Sequence, residues 1–495
     1  MLKRILKKTA IFIVVLAITS TILYLFFGLR ILVRGDGSMS LGFVRSADAQ
    51  ADDLEQHRAA QRATSPPPQP VTAPSLPAAV VSDATNPVNS VAATRAAGAP
   101  VIGDPRAYWT DFRGPARDGR YQEMPIFTTW PADGLKPVWK QPVGGGYASF
   151  VVAHGRAFTI EQRRTKEVVA AYDVATGREI WTHAWDGLFQ EVMGGDGPRA
   201  TPTWFDGRVY ALGAQGELQC LEDDTGRVLW RRNILEDAGA ENLQWGMSGA
   251  PLIVDDVVVV QPGGGNGKSI VAYDRRNGER VWSAESDQQA YSSPILVTLA
   301  DTRQIVVLTA TRLLGLTPGK GELLWQYPWP TQMGINASQP LLVSDSRLFL
   351  SSSYGMGAAV IEITRNKSTF GVHEIWRNTR MKNRFTSSVL HEGFIYGLDE
   401  AILTCLDAAT GEPKWKVGRY GYGQIALASG HLIVLTEDGD LALVRATPAK
   451  HEQISRFPVL EGKTWNHPAL ADGYLLVRNL QEMAAFDLRP KAGMR

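Results

Sequence analysis

The sequence predicts an all-β fold, an eight-bladed β-propeller closed by an N-terminal strand and preceded by one transmembrane helix. Three observations lead to this prediction. They are a recurring strand–turn–strand pattern, a partial repeat at each end of the folded region, and an uncharged apolar run near the N-terminus. The pattern is considered first, because self-similarity at a regular period is the signature of repeat architectures.

The recurring pattern is an apolar strand, a turn ending in glycine, and a second strand with a tryptophan four residues after the glycine. Residues 168–181, VVAAYDVATGREIW, show it in full. At a period of 39 to 52 residues, copies end at Trp181, Trp230, Trp282, Trp325 and Trp415, and looser copies end at Trp376 and Phe457. Asp or Thr can bond the turn backbone, and glycine accepts the positive φ of a tight bend. Each indole is therefore expected to fill the gap to the next sheet.

Two partial repeats lie at the ends of the folded region. Residues 136–143, KPVWKQPV, resemble the outer strand of a repeat, and residues 466–488 carry only the first three strands of one. Together they make one unit, which brings the number of units to eight. A stacked solenoid would instead have two open ends with caps. A ring closed by a strand from the opposite terminus explains both fragments and removes exposed sheet edges.

Residues 1–33 are predicted to be a cytoplasmic stub and a transmembrane anchor. Residues 9–29 form an uncharged apolar run of 21 residues, and one membrane crossing takes about 20. The basic residues ahead of it favour an N-terminus in the cytoplasm. A cleavable signal peptide is the alternative, but its apolar core would span only about 7 to 15 residues. We therefore expect a retained single-pass anchor in a bacterial inner membrane, with the propeller in the periplasm or another extracytoplasmic space.

Residues 34–105 are predicted to be a flexible linker, because they are rich in Ala, Pro, Ser and Thr and poor in large apolar side chains. Residues 106–495 are assigned to the propeller. The net charge of +1, without a long run of one sign beyond the N-terminus, gives no support for nucleic-acid binding. Cys220 and Cys405 belong to the second and sixth repeats, which lie on opposite sides of an eight-membered ring. Since a disulfide needs Cα atoms within about 7 Å, both thiols are predicted to be free.

The repeat line AxDxxTGxxxW resembles the tryptophan-docking repeats of the pyrroloquinoline-quinone (PQQ) type β-propellers, over about residues 106–488. This resemblance implies one of two functions. One branch contains quinoprotein alcohol dehydrogenases, whose quinone lies on the ring axis between a tryptophan and a disulfide of adjacent cysteines, beside calcium and a catalytic aspartate. The other contains non-catalytic, BamB-like scaffolds, which carry a lipid-bearing cysteine. This chain has no adjacent cysteine pair and no CxxCH haem site. No cysteine stands directly after its apolar run, where a lipid-bearing cysteine would be expected.

The preferred function is therefore a non-catalytic scaffold or binding module in the bacterial cell envelope, with a protein partner and no cofactor. The alternative is a PQQ-dependent alcohol dehydrogenase that uses PQQ with calcium. No catalytic residue is assigned, and the eight histidines show no metal-ligand spacing. Residues 262–269, PGGGNGKS, are not a phosphate loop, because a strand rather than a helix follows them.

The loops that lead into successive units are predicted to converge on one face around the ring axis. Their small residues would leave a depression edged by five candidates: Trp245, Tyr291, Asn336, Arg384 and Asn466. This face is interpreted as a binding surface for a partner segment or a small ligand. The alternative is that its glycine, serine and proline residues only serve tight turns. Trp245 stands outside the repeat register, so it could stack on a quinone, anchor a partner or pack a long loop.

Overall fold

The computed structural model describes residues 15, 19, 21–23, 29–43, 45–64, 108–131 and 133–490. The elements that precede the first blade are a hairpin, a helix and two separate strands. They are β1 Leu29–Val33, β2 Met39–Phe43, α1 Ala47–Ala63, β3 Arg120–Tyr121 and β4 Trp139–Pro142. The two separate strands pair later with strands from the C-terminal part of the chain.

From residue 151 the chain forms antiparallel sheets, the blades, and each blade is built from consecutive strands. Blade 1 contains β5 Val151–Ala153, β6 Arg156–Arg163, β7 Lys166–Asp173 and β8 Glu179–Asp186. Blade 2 contains β9 Thr203–Phe205, β10 Arg208–Leu212, β11 Glu217–Glu222 and β12 Val228–Asn233, and the short helix α2 Ile234–Ala238 follows it. Blade 3 contains β13 Leu252–Val254, β14 Val257–Val260, β15 Ile270–Asp274 and β16 Arg280–Ala284. Blade 4 contains β17 Ile295–Leu299, β18 Thr302–Leu308, β19 Arg312–Leu316 and β20 Leu323–Pro328.

The remaining blades repeat this order. Blade 5 contains β21 Leu341–Ser344, β22 Arg347–Ser352, β23 Gly357–Asn366 and β24 Thr369–Asn378. Blade 6 contains β25 Val389–His391, β26 Phe394–Asp399, β27 Ile402–Asp407 and β28 Pro413–Arg419. Blade 7 contains β29 Gln424–Ala428, β30 His431–Leu435, β31 Asp440–Arg445 and β32 Gln453–Pro458. Blade 8 contains β33 Ala469–Ala471, β34 Tyr474–Arg478 and β35 Glu482–Asp487.

The outer strand of blade 8 comes from the other end of the folded region. β4 pairs antiparallel with β35, so that Trp139 lies opposite Ala485 and Pro142 lies opposite Glu482. On the inner side, β33 contacts β5 of blade 1. The prediction that residues 136–143 complete the last unit is confirmed, and with it the eight-bladed propeller.

The repeat tryptophans join neighbouring blades, as predicted. The Trp230 ring lies over Gly278 of blade 3, and its Nε1 donates to the Arg275 carbonyl oxygen at 3.0 Å. The same pair of contacts, to a turn glycine and a turn carbonyl of the next blade, is made by Trp139, Trp181, Trp282 and Trp376. Gly278 has a φ of +72°, and a Cβ there would lie 2.6 Å from the Trp230 ring. The glycine therefore serves two purposes, since it forms the turn and gives the preceding blade's indole a flat surface.

Cys220 and Cys405 are free and buried, which confirms that prediction. They lie in β11 of blade 2 and β27 of blade 6. Burial raises the pKa of Cys220 to about 11 and that of Cys405 to about 12. Both thiols therefore stay protonated at neutral pH and are poor nucleophiles.

The segment 108–121, which precedes the first blade, fills the ring axis and bonds to the inner strands of several blades. Two buried arginines hold it there. Arg117 donates to backbone carbonyl oxygens at the starts of blades 3 and 4, those of Ala250, Pro251 and Pro294. Arg113 donates to the Ser388 carbonyl oxygen of blade 6 at 2.7 Å. A buried guanidinium group is stable only when it is hydrogen-bonded, and here the inner ends of the blades supply the acceptors.

The predicted transmembrane run 9–29 lies almost wholly outside the described residues. Among the residues that the structure does describe, there is no helix long and apolar enough to cross a membrane. The last residue of the run, Leu29, is the first residue of β1. LRILV and MSLGF pair because the turn between them is well formed: Asp36 accepts the Ser38 N–H at 2.8 Å, and Gly37 has a φ of +82°.

Residues 47–63, within the stretch predicted to be a flexible linker, form the helix α1. The reason is local, since this part is rich in the good helix formers Ala, Gln, Glu and Arg, and Ser46 caps its N-terminus by accepting the Ala49 N–H. α1 packs across the boundary between blades 8 and 1. There the buried Arg58 lies 3.3 Å from the Glu179 carboxylate and donates to the Pro142 carbonyl oxygen at 3.0 Å. The rest of the predicted linker, from residue 65 to 105, is outside the described residues.

Candidate functional site

The connections between blades lie on one side of the ring, together with the turns between the second and third strands of each blade. This arrangement follows from the alternating strand direction within a blade. We call this side the loop face. All five candidates from the sequence, Trp245, Tyr291, Asn336, Arg384 and Asn466, lie in connections between blades and therefore on the loop face.

The two asparagines are fully buried and have structural contacts. The Asn336 Nδ2 donates to the Thr309 carbonyl oxygen at 2.9 Å, and its Oδ1 accepts a hydrogen bond from the Ser352 hydroxyl at 2.7 Å. The Asn466 Nδ2 donates to the carbonyl oxygens of Gly146 and Ala148, which belong to the connection before blade 1. Both side chains tie loops to neighbouring blades and are not open to a ligand.

Trp245 and Tyr291 form a half-buried pair over blades 3 and 4. Their ring centroids lie 5.7 Å apart, with an angle of 54° between the ring planes. The Tyr291 N–H donates to the Asn336 carbonyl oxygen at 3.0 Å, and burial raises the pKa of its phenol to about 12. The two rings therefore pack against each other, which agrees with the loop-packing interpretation of Trp245.

An aromatic cluster that the sequence analysis missed lies over blades 6, 7, 8 and 1. Trp465 lies 4.6 Å from Phe385 and stacks on Tyr147, with centroids 5.3 Å apart and an interplanar angle of 28°. Phe385 in turn lies 6.0 Å from Tyr422. These residues stand next to candidates that were chosen, beside Arg384 and Asn466. One signal was available, because Trp465 also lies outside the repeat register.

The carboxylates of the loop face are engaged in internal contacts. The buried Glu437 accepts the Trp465 indole N–H at 3.1 Å and the Gly35 backbone N–H at 2.7 Å. Glu400 accepts hydrogen bonds from the Ser353 hydroxyl at 2.6 Å and the Tyr422 hydroxyl at 3.1 Å. Both carboxylates therefore accept hydrogen bonds from within the protein and stabilise the packing of the loop face.

The turn between β1 and β2 covers part of the loop face, a contact that no sequence pattern predicted. Gly35 is buried between Glu437 and Arg384, whose guanidinium donates to the Gly35 carbonyl oxygen. Arg34 forms an ion pair with Asp438 at 3.0 Å. A Cβ at residue 35 would overlap the ring of Tyr422, so only glycine allows this close approach. Arg384, the fourth candidate, therefore binds a segment of its own chain.

Lys463 contacts the same region from the connection between blades 7 and 8. Its Nζ donates to the carbonyl oxygens of Met193 and Gly194 at 3.0 and 3.1 Å and lies 4.4 Å from the Trp465 ring centroid. Burial lowers its pKa to about 8. The lysine therefore fixes the loop between blades 1 and 2, residues 187–202, onto the aromatic cluster.

The same loop carries three exposed apolar side chains. Val192 is 93% exposed, Met193 45% and Leu188 42%. Met333, in the connection between blades 4 and 5, is 66% exposed. These side chains contrast with the aromatic cluster, whose members pack on one another. Exposed apolar groups on a well-packed domain mark surfaces that contact other molecules.

Glu167 is a buried carboxyl at the boundary of blades 1 and 2, on the loop-face side. Its Oε1 accepts the Ala214 N–H at 2.8 Å. Burial raises its pKa from 4.5 to about 7. The folded state therefore binds a proton here more tightly than the unfolded chain does.

We expect Glu167→Gln to remove a pH dependence of stability. Since the folded pKa is raised, this group's contribution is fully present below pH 4.5 and is lost as the pH rises to about 7. The loss amounts to at most roughly 3 kcal/mol, at 1.36 kcal/mol per pKa unit. The free energy of unfolding, measured by denaturant titration at several pH values in this range, should change less with pH in the variant than in the wild type. The control is Glu236→Gln at an exposed position, which should leave the pH dependence of the unfolding free energy as in the wild type. The same pH dependence in all three proteins would contradict the prediction.

The residues of the loop face do not fit a quinone with calcium. Both rings that could stack on a quinone, Trp465 and Trp245, already pack against aromatic neighbours. Within the described ranges, no group of three or more His, Cys, Asp or Glu side chains could hold a metal ion. The axis itself carries the guanidinium groups of Arg113 and Arg117, whose positive charge opposes a divalent cation.

The chain is similar to proteins of two kinds. A family model described as "Outer membrane protein assembly factor BamB" matches residues 165–417. The curated protein of that name from Bordetella pertussis is 26% identical over 221 residues, which are 44% of this chain and 52% of the relative. The chain thus spans about half of the length of this relative.

Two solved structures share the fold. BamB from Moraxella catarrhalis aligns with a TM-score of 0.50 at 15% identity, covering 71% of this chain and 99% of that one. Quinohemoprotein alcohol dehydrogenase from Comamonas testosteroni aligns with a TM-score of 0.55 at 15% identity, covering 80% and 82%. At this identity the alignments establish a common architecture and do not separate the two functions.

Proposed function

The chain belongs to the family described as outer membrane protein assembly factor BamB, and on this premise we propose that it is a non-catalytic propeller scaffold of the bacterial cell envelope. In this proposal residues 9–29 anchor it in the inner membrane. The N-terminus lies in the cytoplasm and the propeller in the periplasm. Its role is to bind a protein that takes part in outer membrane protein assembly.

One observation carries the proposal: the Glu437, Glu400 and Arg384 side chains of the loop face serve the fold, and the loop between blades 1 and 2 exposes apolar side chains. Glu437, Glu400 and Arg384 are committed to internal contacts, whereas Val192 and Met193 project from the loop between blades 1 and 2. A catalytic site needs reactive groups directed at a substrate. A protein interface needs apolar anchors that a partner can bury, and this loop offers them.

The proposal predicts that a photo-crosslinking amino acid at residue 192 captures a defined partner in growing cells. The expected adduct contains a protein of outer membrane protein assembly, identified by mass spectrometry, because Val192 is 93% exposed on the loop face. The matched control is residue 281, a valine 53% exposed on the outer strand β16. The proposal fails if residue 192 gives no adduct, or gives the same adducts as residue 281.

The dehydrogenase alternative is tested on the purified full chain. Under the scaffold proposal, mixing the protein with PQQ and calcium yields no stoichiometric quinone absorbance and no dye-linked oxidation of alcohols. Appearance of both signals would replace the scaffold by an oxidoreductase. The fold shared with a quinohemoprotein alcohol dehydrogenase is the reason to make this measurement.

A further inference from the structure

The hairpin formed by β1 and β2 has one apolar face. In an antiparallel pair, directly opposite residues lie on the same face of the ribbon. Leu29 lies opposite Phe43, Ile31 opposite Leu41, and Val33 opposite Met39. Every residue of these three pairs is apolar, while the other two pairs, Arg30 with Gly42 and Leu32 with Ser40, are mixed. The alternation is that of a strand pair with one side buried in an apolar phase.

Yet this face is open in the folded protein. Ile31 is 64% exposed, and Met39 and Leu41 are each 71% exposed. The propeller does not cover them, because the hairpin contacts it through its turn: the Gly35 N–H binds Glu437, and Arg34 pairs with Asp438. An isolated two-stranded hairpin is marginally stable in water. We therefore expect another surface to cover its exposed apolar face and stabilise it.

The position of the hairpin in the chain indicates which surface covers its apolar face. β1 begins at Leu29, the last residue of the uncharged run 9–29. A strand of five residues spans roughly 17 Å, so the apolar pairs lie within that distance of the end of the run. The hairpin is also held from its other end, since α1 follows β2 and is anchored on the propeller by Arg58. The apolar face is therefore restrained next to the point where the chain is proposed to leave the bilayer.

We propose that the apolar face of the β1–β2 hairpin inserts into the surface of the bilayer that holds residues 9–29. This inference rests on the membrane anchor of the proposed function. Because the turn of the same hairpin is fixed on the loop face by Gly35 and Arg34, lipid contact also sets the orientation of the propeller. The loop face over blades 6 and 7 is held close to the membrane surface, rather than at the end of a free linker.

The test uses the full chain in vesicles of phosphatidylethanolamine and phosphatidylglycerol. A polarity-sensitive fluorophore is attached to Ile31→Cys or Leu41→Cys. Cys220 and Cys405 are buried and should stay unlabelled, which the wild-type chain checks. The matched controls are Ser40→Cys, on the opposite hairpin face, and Val281→Cys, on the outer strand of blade 3. Labels at residues 31 and 41 should emit at shorter wavelength and be quenched several-fold more by spin-labelled lipid than the controls.

Three other outcomes overturn the inference in different ways. Labels at residues 31 and 41 that are quenched by aqueous iodide as strongly as the label at 281 would show that the face stays in water. Labels shielded from both quenchers would show that protein, such as a second copy of the chain, covers it. If the chain fails to float with the vesicles after a urea wash, the membrane anchor itself is wrong. Flotation thus separates failure of the proposed tether from failure of the hairpin contact.

Discussion

Replacing Trp230 by alanine is expected to lower the free energy of unfolding by about 3–5 kcal/mol, the usual cost of truncating a buried aromatic side chain. The physical reason is the contact between blades 2 and 3. The ring covers Gly278, and the indole N–H donates to the Arg275 carbonyl oxygen at 3.0 Å. The substitution removes apolar contact, leaves a cavity between two sheets and removes one of the donors to the Arg275 carbonyl oxygen, which also accepts from the Tyr210 hydroxyl at 3.0 Å. The measurement is denaturant unfolding followed by tryptophan fluorescence and by far-UV circular dichroism.

Trp245→Ala is the matched control for this prediction. Trp245 is half-buried on the loop face, lies outside the repeat register and contacts Tyr291. Its removal should cost clearly less than that of Trp230. A loss below about 1 kcal/mol for Trp230→Ala, or equal losses for the two variants, would show that the docking contact does not stabilise the ring in the way we describe.

Deleting residues 136–143 should open blade 8 and make the protein associate. The deletion removes β4, so β35 loses its partner strand and exposes unpaired backbone N–H and C=O groups along its edge. It also removes Gln141 and Pro142, which bind Arg58 of α1. An open edge is a template for pairing with another chain, so we expect association in light scattering together with a lower unfolding midpoint.

The control for the deletion is removal of eight residues, 70–77, from the predicted linker. It shortens the chain equally and touches no described strand. This variant should show the light scattering and the unfolding midpoint of the wild type. Ring closure by β4 would be refuted if the 136–143 deletion product behaved in the same way.

The repeated part of the fold was predictable because its determinants are local. In five repeats the glycine and tryptophan lie four residues apart, so the turn, the strand pairing and the side of the sheet that carries the indole follow from one short segment. Ring closure was also predictable, because residues 466–488 carry three strands of a repeat and residues 136–143 resemble the missing fourth. The partner of each indole was less obvious. For five of the indoles it is the turn glycine of the next repeat, such as Gly278 for Trp230, and only the three-dimensional arrangement brings the two together.

The contents of the ring axis and of the loop face could not be predicted in the same way. Arg117 binds carbonyl groups more than 130 residues away, and Gly35 binds Glu437 across 402 residues. Neither contact repeats along the chain, so periodicity carries no information about it. Backbone carbonyl acceptors leave no mark in the sequence either, because every residue has one.

The common location of the five candidate residues on the loop face was predictable from the order of the strands, whereas the exposure of each side chain was not. Trp245, Tyr291 and Arg384 lie at the loop face with side chains partly exposed, whereas Asn336 and Asn466 are buried in hydrogen bonds to loop carbonyls. A polar residue in a glycine-rich loop looks the same in sequence whether it binds a ligand or its own backbone. Val192, the most exposed apolar residue of the loop face, was overlooked because a single valine in a loop has no pattern.

Completion of blade 8 by β4 has a consequence for the timing of biosynthesis. β4 is synthesised before any of the blades, and its partner β35 follows more than 300 residues later. At a translation rate of about 5 to 20 residues per second, the early strand waits for tens of seconds before its counterpart exists. The propeller therefore matures only after its last turns have left the ribosome, and during that interval the nascent chain exposes an unpaired strand that chaperones are able to bind.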